Sequence, residues 1–204
     1  MSSFIVIEGL DGSGKTELSK QLVAHYRNLL GATAVLQTYE PHNDFCAGVF
    51  IRQALRREIT VSDRTLMLAY AANREDHLQR EVLPFLQHPH AVVICDRYYL
   101  SSLVYQSTPD ISMDEIMSVN RRARRPDLTL FLDVSLETAR QRRQIRGGMV
   151  ELFDSRVPAG RGIGVTSARL VVLDLLGGNV GGLRDRTEGH GIIAGDRGAD
   201  RVVR

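Results

Sequence analysis

Phe4-Ile5-Val6-Ile7-Glu8-Gly9-Leu10-Asp11-Gly12-Ser13-Gly14-Lys15-Thr16 reads as a buried strand, a glycine-rich turn and the start of a helix. Gly9 to Thr16 matches the pattern G-x-x-x-x-G-K-[ST] at every position. The glycines let the backbone turn successive N–H groups inward, which makes a cradle for an anion. The helix that follows adds its N-terminal N–H groups and the positive end of its dipole. Lys15 then supplies a cation for the β- and γ-phosphates, and the Thr16 hydroxyl a ligand for magnesium. The pattern implies that Gly9, Leu10, Asp11, Gly12, Ser13, Gly14, Lys15 and Thr16 hold a polyphosphate, although an ordinary glycine turn between strand and helix would also fit.

Outward from this stretch, apolar periodicity predicts a helix over 15–30, stopped by Gly31. A short strand is expected at Ala34–Thr38, a loop at Pro41–Asp44 and a helix from about Phe45 to Arg57. A longer helix is expected from Ser62, its cap, to about Gln87, with Pro84 kinking or closing it. Ala91-Val92-Val93-Ile94-Cys95-Asp96 and Leu128-Thr129-Leu130-Phe131-Leu132-Asp133 are continuous apolar runs that end in a carboxylate. Continuous rather than alternating hydrophobicity marks strands buried on both faces of a parallel sheet. Helices are predicted at Tyr99–Gln106, Met113–Ala123 and, capped by Ser135, to about Ile145. This alternation predicts a three-layer α/β/α sandwich around a mostly parallel sheet. Ligands in such sheets sit beyond the carboxyl ends of the strands, where Gly9, Glu40, Asp96 and Asp133 fall.

Composition narrows the function. The chain has 204 residues, with 26 Lys+Arg against 24 Asp+Glu, so nothing argues for nucleic acid or an anionic membrane. Its two cysteines, Cys46 and Cys95, have no metal-ligand spacing, and Met1-Ser2-Ser3 leads straight into the first strand. A reducing, cytoplasmic setting is expected, with no membrane span.

Asp96-Arg97-Tyr98 forms a second constellation. Asp96 is placed to hold the magnesium shell, directly or through water. Arg97 offers a planar fork for a second phosphate, although a surface ion pair would also account for the two residues.

These residues resemble bacterial thymidylate kinases. The likeness runs through Glu8–Thr16, Thr38-Tyr39-Glu40-Pro41, Tyr70-Ala71-Ala72-Asn73-Arg74, Asp96–Gln106 and Arg125–Val134, over about residues 1–154. The Asp96–Gln106 block is its most specific part. The resemblance implies transfer of the ATP γ-phosphoryl group to thymidine monophosphate (dTMP), with Mg2+ as cofactor and a homodimeric enzyme. It implies that Asp11 lies near the acceptor phosphate and metal, although a turn-former would also fit. It further implies that Arg97 holds the acceptor phosphate and that Arg74 meets the acceptor nucleotide. Tyr70 would stack on thymine, though a core role fits it too, and Ser102, Tyr105 and Gln106 would read base and sugar. Where many family members have Arg, this chain has Tyr39; Arg52 is the candidate replacement. The loop contains no arginine, so the resemblance passes the catalytic cation to a lid over about 140–154. Arg146 is the first choice and Arg143 the second, within a cluster that also suits a solvated helix face.

Residues 155–204 carry eleven of the eighteen glycines, eight arginines and no aromatic residue. Arg169–Asp174 suits one more strand. Otherwise the segment reads as disordered, strongly diverged or shifted in reading frame, and lacks the long helix that the family has after its lid. Alternatives to dTMP kinase activity are another kinase of this fold or an inactive ATP-binding relative.

Overall fold

The computed structural model describes residues 1–146, 152 and 169–173. Five strands form one sheet in the order β2-β3-β1-β4-β5: β1 (Ser3–Gly9), β2 (Val35–Tyr39), β3 (Val92–Asp96), β4 (Leu128–Asp133) and β5 (Arg169–Leu173). The first four are parallel, and β5 runs antiparallel to β4 with Arg169 opposite Asp133. The mostly parallel sheet expected from the apolar runs is present. So is the extra strand expected at Arg169. Of the lid expected over about 140–154, residues 140–146 form the end of a helix; the rest of it apart from Leu152, and the rest of the tail, where no long post-lid helix was expected, lie outside the described residues.

The apolar runs are continuous because both faces of the sheet are covered. Phe4, Val6, Val93 and Cys95 point to one side, against Leu78, Val82, Tyr98 and Tyr99. Ile5, Ile7, Val92 and Ile94 point to the other, against Leu22 and Val23 of α1 (Lys15–Leu30). A third apolar cluster joins α2 (Gly48–Leu55) to α3 (Asp63–His77) and to Tyr105 of α5 (Tyr99–Gln106). Among the described residues, no helix is long and apolar enough to cross a membrane.

Three local departures have physical causes. The helix expected from Phe45 begins at Gly48, because Ala47 takes a left-handed φ of 58° and Asn73 ties the preceding loop down. The long helix after Ser62 is interrupted by a π-helical turn at Leu78–Val82, followed by α4 (Leu83–Leu86). Pro84 lacks an N–H and its ring crowds the Arg80 carbonyl, so the backbone widens just before it. Helix α6 (Met113–Val119) stops four residues short of expectation, where Asn120 leaves helical geometry and turns its amide back to the Ile116 carbonyl at 2.7 Å.

The phosphate loop lies between β1 and α1 and under α7 (Leu136–Arg146), which Ser135 caps through the Thr138 N–H at 3.1 Å. Gly12 shows why glycine is required. Its φ is +87°, and a Cβ there would stand 2.3 Å from the Ala139 carbonyl of α7.

Candidate active site

Asp11, Gly12, Gly14, Lys15, Thr16, Asp96, Arg97 and Arg142 line one cleft of about 290 Å3 at the carboxyl ends of β1 and β3. Gly14 caps α1 in the left-handed region, which frees the first N–H groups of the helix to face the cleft. Lys15 is buried, and its Nζ donates to the Gly9 and Leu10 carbonyls at 3.0 and 2.7 Å. Burial and then the Arg97 charge lower its pKa from 10.5 to about 8.

Thr16 Oγ1 donates to Asp96 Oδ2 at 3.0 Å. Asp96 Oδ1 and Ser13 Oγ are buried without a hydrogen-bond partner among the described residues. An unclaimed carboxylate oxygen beside a hydroxyl suits Mg2+, which takes one or two carboxylates and leaves its other positions to water and phosphate. The described residues contain no cluster of three or more His, Cys, Asp or Glu that would suit a different ion.

Arg97 stands opposite. Its backbone is held in the left-handed region, φ 74°, by its N–H to the Ile7 carbonyl at 2.9 Å. Its guanidinium reaches Asp11 and the Ser101 hydroxyl (3.0 Å) and lies 5.3 Å from the Tyr105 ring centroid. Burial alone would raise the Asp11 pKa, but Arg97 and then Lys15 outweigh it and hold the carboxyl below its usual value. The same pairing raises Arg97 despite its burial.

A second polar group adjoins this cleft. Arg74 is 2% exposed. Its Nε donates to Glu40 at 2.6 Å, its Nη2 to the Ser102 hydroxyl at 3.1 Å and its Nη1 to Asn120. Tyr105 and Gln106 are buried on α5 beside Ser102, and Gln106 Oε1 has no hydrogen-bond partner among the described residues. Tyr70 packs near Tyr105 in the third apolar cluster. Arg52 turns to its own loop, donating to the Pro41 carbonyl (3.0 Å) and Asn43 (2.9 Å). Asp133 is exposed at the end of β4 and does not line the cleft. The Arg143 Cγ would meet a Gly12 Cβ at 3.1 Å, so this arginine of α7 packs against the loop. Arg146 ends α7, and its side chain lies outside the described residues.

Sequence reasoning missed several participants. Glu8 is buried and accepts from the Tyr98 N–H, the Ser101 N–H and the Ser101 hydroxyl (2.9, 3.1 and 2.6 Å), with its pKa raised by burial. It thereby ties the segment carrying Arg97 to β1. Its signal was a carboxylate ending an apolar run. Arg142, visible only as one member of a cluster, donates to the Ser13 carbonyl at 3.2 Å. Asn73 was visible only inside the Tyr70–Arg74 run, and His77 and Asn120 gave no sequence signal, because their partners lie on other elements.

The strand, glycine loop and helix, with a second basic group facing them at the next strand end, define a P-loop phosphotransferase of the nucleoside monophosphate kinase type. The family model "Thymidylate kinase" matches residues 7–155. The "Probable thymidylate kinase" of Pyrococcus horikoshii is 37% identical over 163 residues, 78% of this chain and 77% of the relative. That of Methanocaldococcus jannaschii is 40% identical over 141 residues, 68% of each. The crystal structure of thymidylate kinase from Ehrlichia chaffeensis superposes with a TM-score of 0.60 at 30% identity, covering 69% of this chain and 81% of that one. The chain belongs to the thymidylate kinase family, whose reaction is phosphorylation of dTMP.

The lowered Lys15 pKa gives a testable pH dependence. Between about pH 8 and 10.5 the buried amine is neutral in the free protein, whereas the unfolded chain keeps its proton. This group's contribution to stability therefore rises with pH across that window and is lost as pH falls through 8. A polyphosphate restores the charge, so ATP binding at about pH 9 takes up close to one proton, and binding at neutral pH takes up almost none. Calorimetry in buffers of different ionisation enthalpy checks this; equal uptake at both pH values would overturn it.

Proposed function

We propose that ATP and Mg2+ occupy the Gly9–Thr16 cleft and that dTMP enters from the Arg74 side, its phosphate meeting Arg97. The observation that carries this reading is the placement of Lys15 and Arg97 as two cations facing one cleft, with Asp11 between them. An oxygen of the dTMP phosphate attacks the γ-phosphorus. The new P–O bond forms as the bond to the β,γ-bridging oxygen breaks, and the electron pair leaves with ADP. Lys15 and the N–H groups of the loop hold the donor phosphates. Thr16 and Asp96 would hold Mg2+, which would supply charge neutralisation to the donor phosphates.

Arg97 orients the acceptor phosphate, and Asp11 orients Arg97. Arg74, Ser102, Tyr105, Gln106 and Tyr70 form the nucleoside side of the pocket. Glu40 acts there by orienting Arg74, and Arg52 braces the adjoining loop. Arg146, with Arg143 behind it, stabilises the charge on the transferring group. Arg146→Ala lowers kcat about 1,000-fold or more if it acts as such a cation. An unchanged kcat removes that role and passes it to Arg142 and Arg143, which reach the loop.

The enzyme is proposed to act in the cytoplasm as a homodimer, a reading supported by exposed apolar side chains on α3, α5 and α6, among them Leu68, Val104 and Met117. Sedimentation equilibrium checks the assembly. The test of function is ADP release with ATP, Mg2+ and dTMP beside the other monophosphates. Turnover that ignores dTMP, or prefers another monophosphate, would overturn the reading.

A further inference from the structure

Glu40 divides its carboxylate between two residues of α3. Oε2 accepts Arg74 Nε at 2.6 Å, and Oε1 lies 3.1 Å from His77 Nδ1. An ionised carboxylate has no hydrogen to give, so the second contact requires a proton on Nδ1. His77 is fully buried. Its ring packs against His42, stacked at 5.5 Å, and Phe45 at 5.2 Å, two rings that are themselves 4.6 Å apart and so cover it from the same side. Nε2 faces the Thr38 hydroxyl at 2.8 Å and Glu81 at 3.0 Å; the single Thr38 hydrogen goes either to Nε2 or to Glu81 at 2.8 Å, and in the second case Nε2 carries a proton as well as Nδ1. The imidazole thus has one nitrogen on the β2–Glu81 side and one on Glu40.

Glu40 is also held by its backbone, whose N–H donates to the Asp96 carbonyl at 3.0 Å. Only rotation of its side chain remains, and His77 removes that freedom. Arg74 depends on the same carboxylate for the orientation of Nε, while Ser102 and Asn120 take its other nitrogens.

We propose that His77 is a positioning residue for the acceptor site: its Nδ1–H fixes Glu40, and Glu40 fixes the guanidinium of Arg74. This rests on the reading of Arg74 as a contact to the acceptor nucleotide. His77 touches neither substrate and acts through two carboxylate bonds.

Asn and Gln substitutions separate the two sides of the ring, because the Asn amide imitates Nδ1 and the Gln amide imitates Nε2. His77→Gln raises KM for dTMP about tenfold or more, the size expected for losing a hydrogen bond to a charged group. KM for ATP holds and kcat changes far less. His77→Asn recovers most of the loss, and Glu81→Gln leaves KM for dTMP near the parent value. Rescue by Gln instead of Asn, an equal rise from Glu81→Gln, or an equal rise in KM for ATP would overturn the proposal.

Nitrogen-15 NMR of the unaltered protein gives a test that needs no variant. A proton on His77 Nδ1 is expected, and one on Nε2 alone overturns the proposal. Arg74→Lys distinguishes the two levels of the argument. If it raises KM for dTMP while His77→Gln does not, only the role of His77 fails. If Arg74→Lys is silent, the acceptor-site reading itself fails.

Discussion

Lys15→Met lowers kcat about 100- to 1,000-fold, the scale seen when one preorganised donor to a developing charge is removed. The reason lies in what Lys15 touches. Its ammonium is buried and held by two backbone carbonyls, and no carboxylate lies within ion-pair distance of it among the described residues. Its charge is therefore only partly compensated until a polyphosphate arrives. The lowered pKa has the same cause: burial first, then Arg97. Methionine keeps most of the side chain, one atom shorter, and removes the uncompensated charge. The melting temperature without nucleotide accordingly stays level or rises while activity collapses. A parallel loss of Tm and activity would mean that the residue is structural. Lys15→Arg does not restore turnover, because a planar five-donor fork is wider than the two-carbonyl seat.

Arg97→Met lowers kcat/KM for dTMP about 100-fold or more. Two charged hydrogen bonds to an acceptor phosphate are together worth roughly 3–6 kcal/mol, which sets that scale. ATP binding measured without acceptor changes little, because Arg97 faces the cleft from the end of β3 and not from the loop. The Asp11 carboxyl, now held below its usual value chiefly against burial by Arg97, titrates at higher pH in the variant. Arg97→Lys recovers only part of the loss: one ammonium cannot hold Asp11, Ser101 and a phosphate in the geometry of the guanidinium. A fall in ATP affinity equal to the fall for dTMP would reassign Arg97 to the donor side.

The secure half of this site was legible in local chemistry. Lys15–Leu30, Tyr99–Gln106 and Leu128–Asp133 appear with the boundaries that apolar period, caps and glycine stops imply. The cleft joining Lys15, Thr16, Asp96 and Arg97 follows from two strand ends in one parallel sheet. What was not legible depends on long-range pairing. Arg74 and Tyr70 were both expected at the acceptor nucleotide, but no pattern tells that Glu40 and Asn120 meet Arg74 from other elements. His77 looks like an ordinary helical histidine until the fold brings Glu40 to it across 37 positions. The π-helical turn was anticipated only as a kink at Pro84, since a proline announces a disturbance and packing decides its form. Arg142 shared its run with Arg140, Arg143 and Arg146, and only the approach of α7 to Ser13 singles it out.

The placement of β1 between β3 and β4 has a consequence for biosynthesis. Ser3–Gly9 is made well before either of its hydrogen-bonding neighbours, which begin at Val92 and Leu128. At roughly 5–20 residues per second, on the order of 10 s passes before β4 has been made. Until Val92–Asp96 is made the Phe4-Ile5-Val6-Ile7 run has helices to cover it but no strand on either side, and until Leu128–Asp133 follows it has a strand on one side only. The most ligand-critical segment is thus also the longest-waiting unpaired strand among the described residues, and a chaperone that shields apolar strands would find a binding site there.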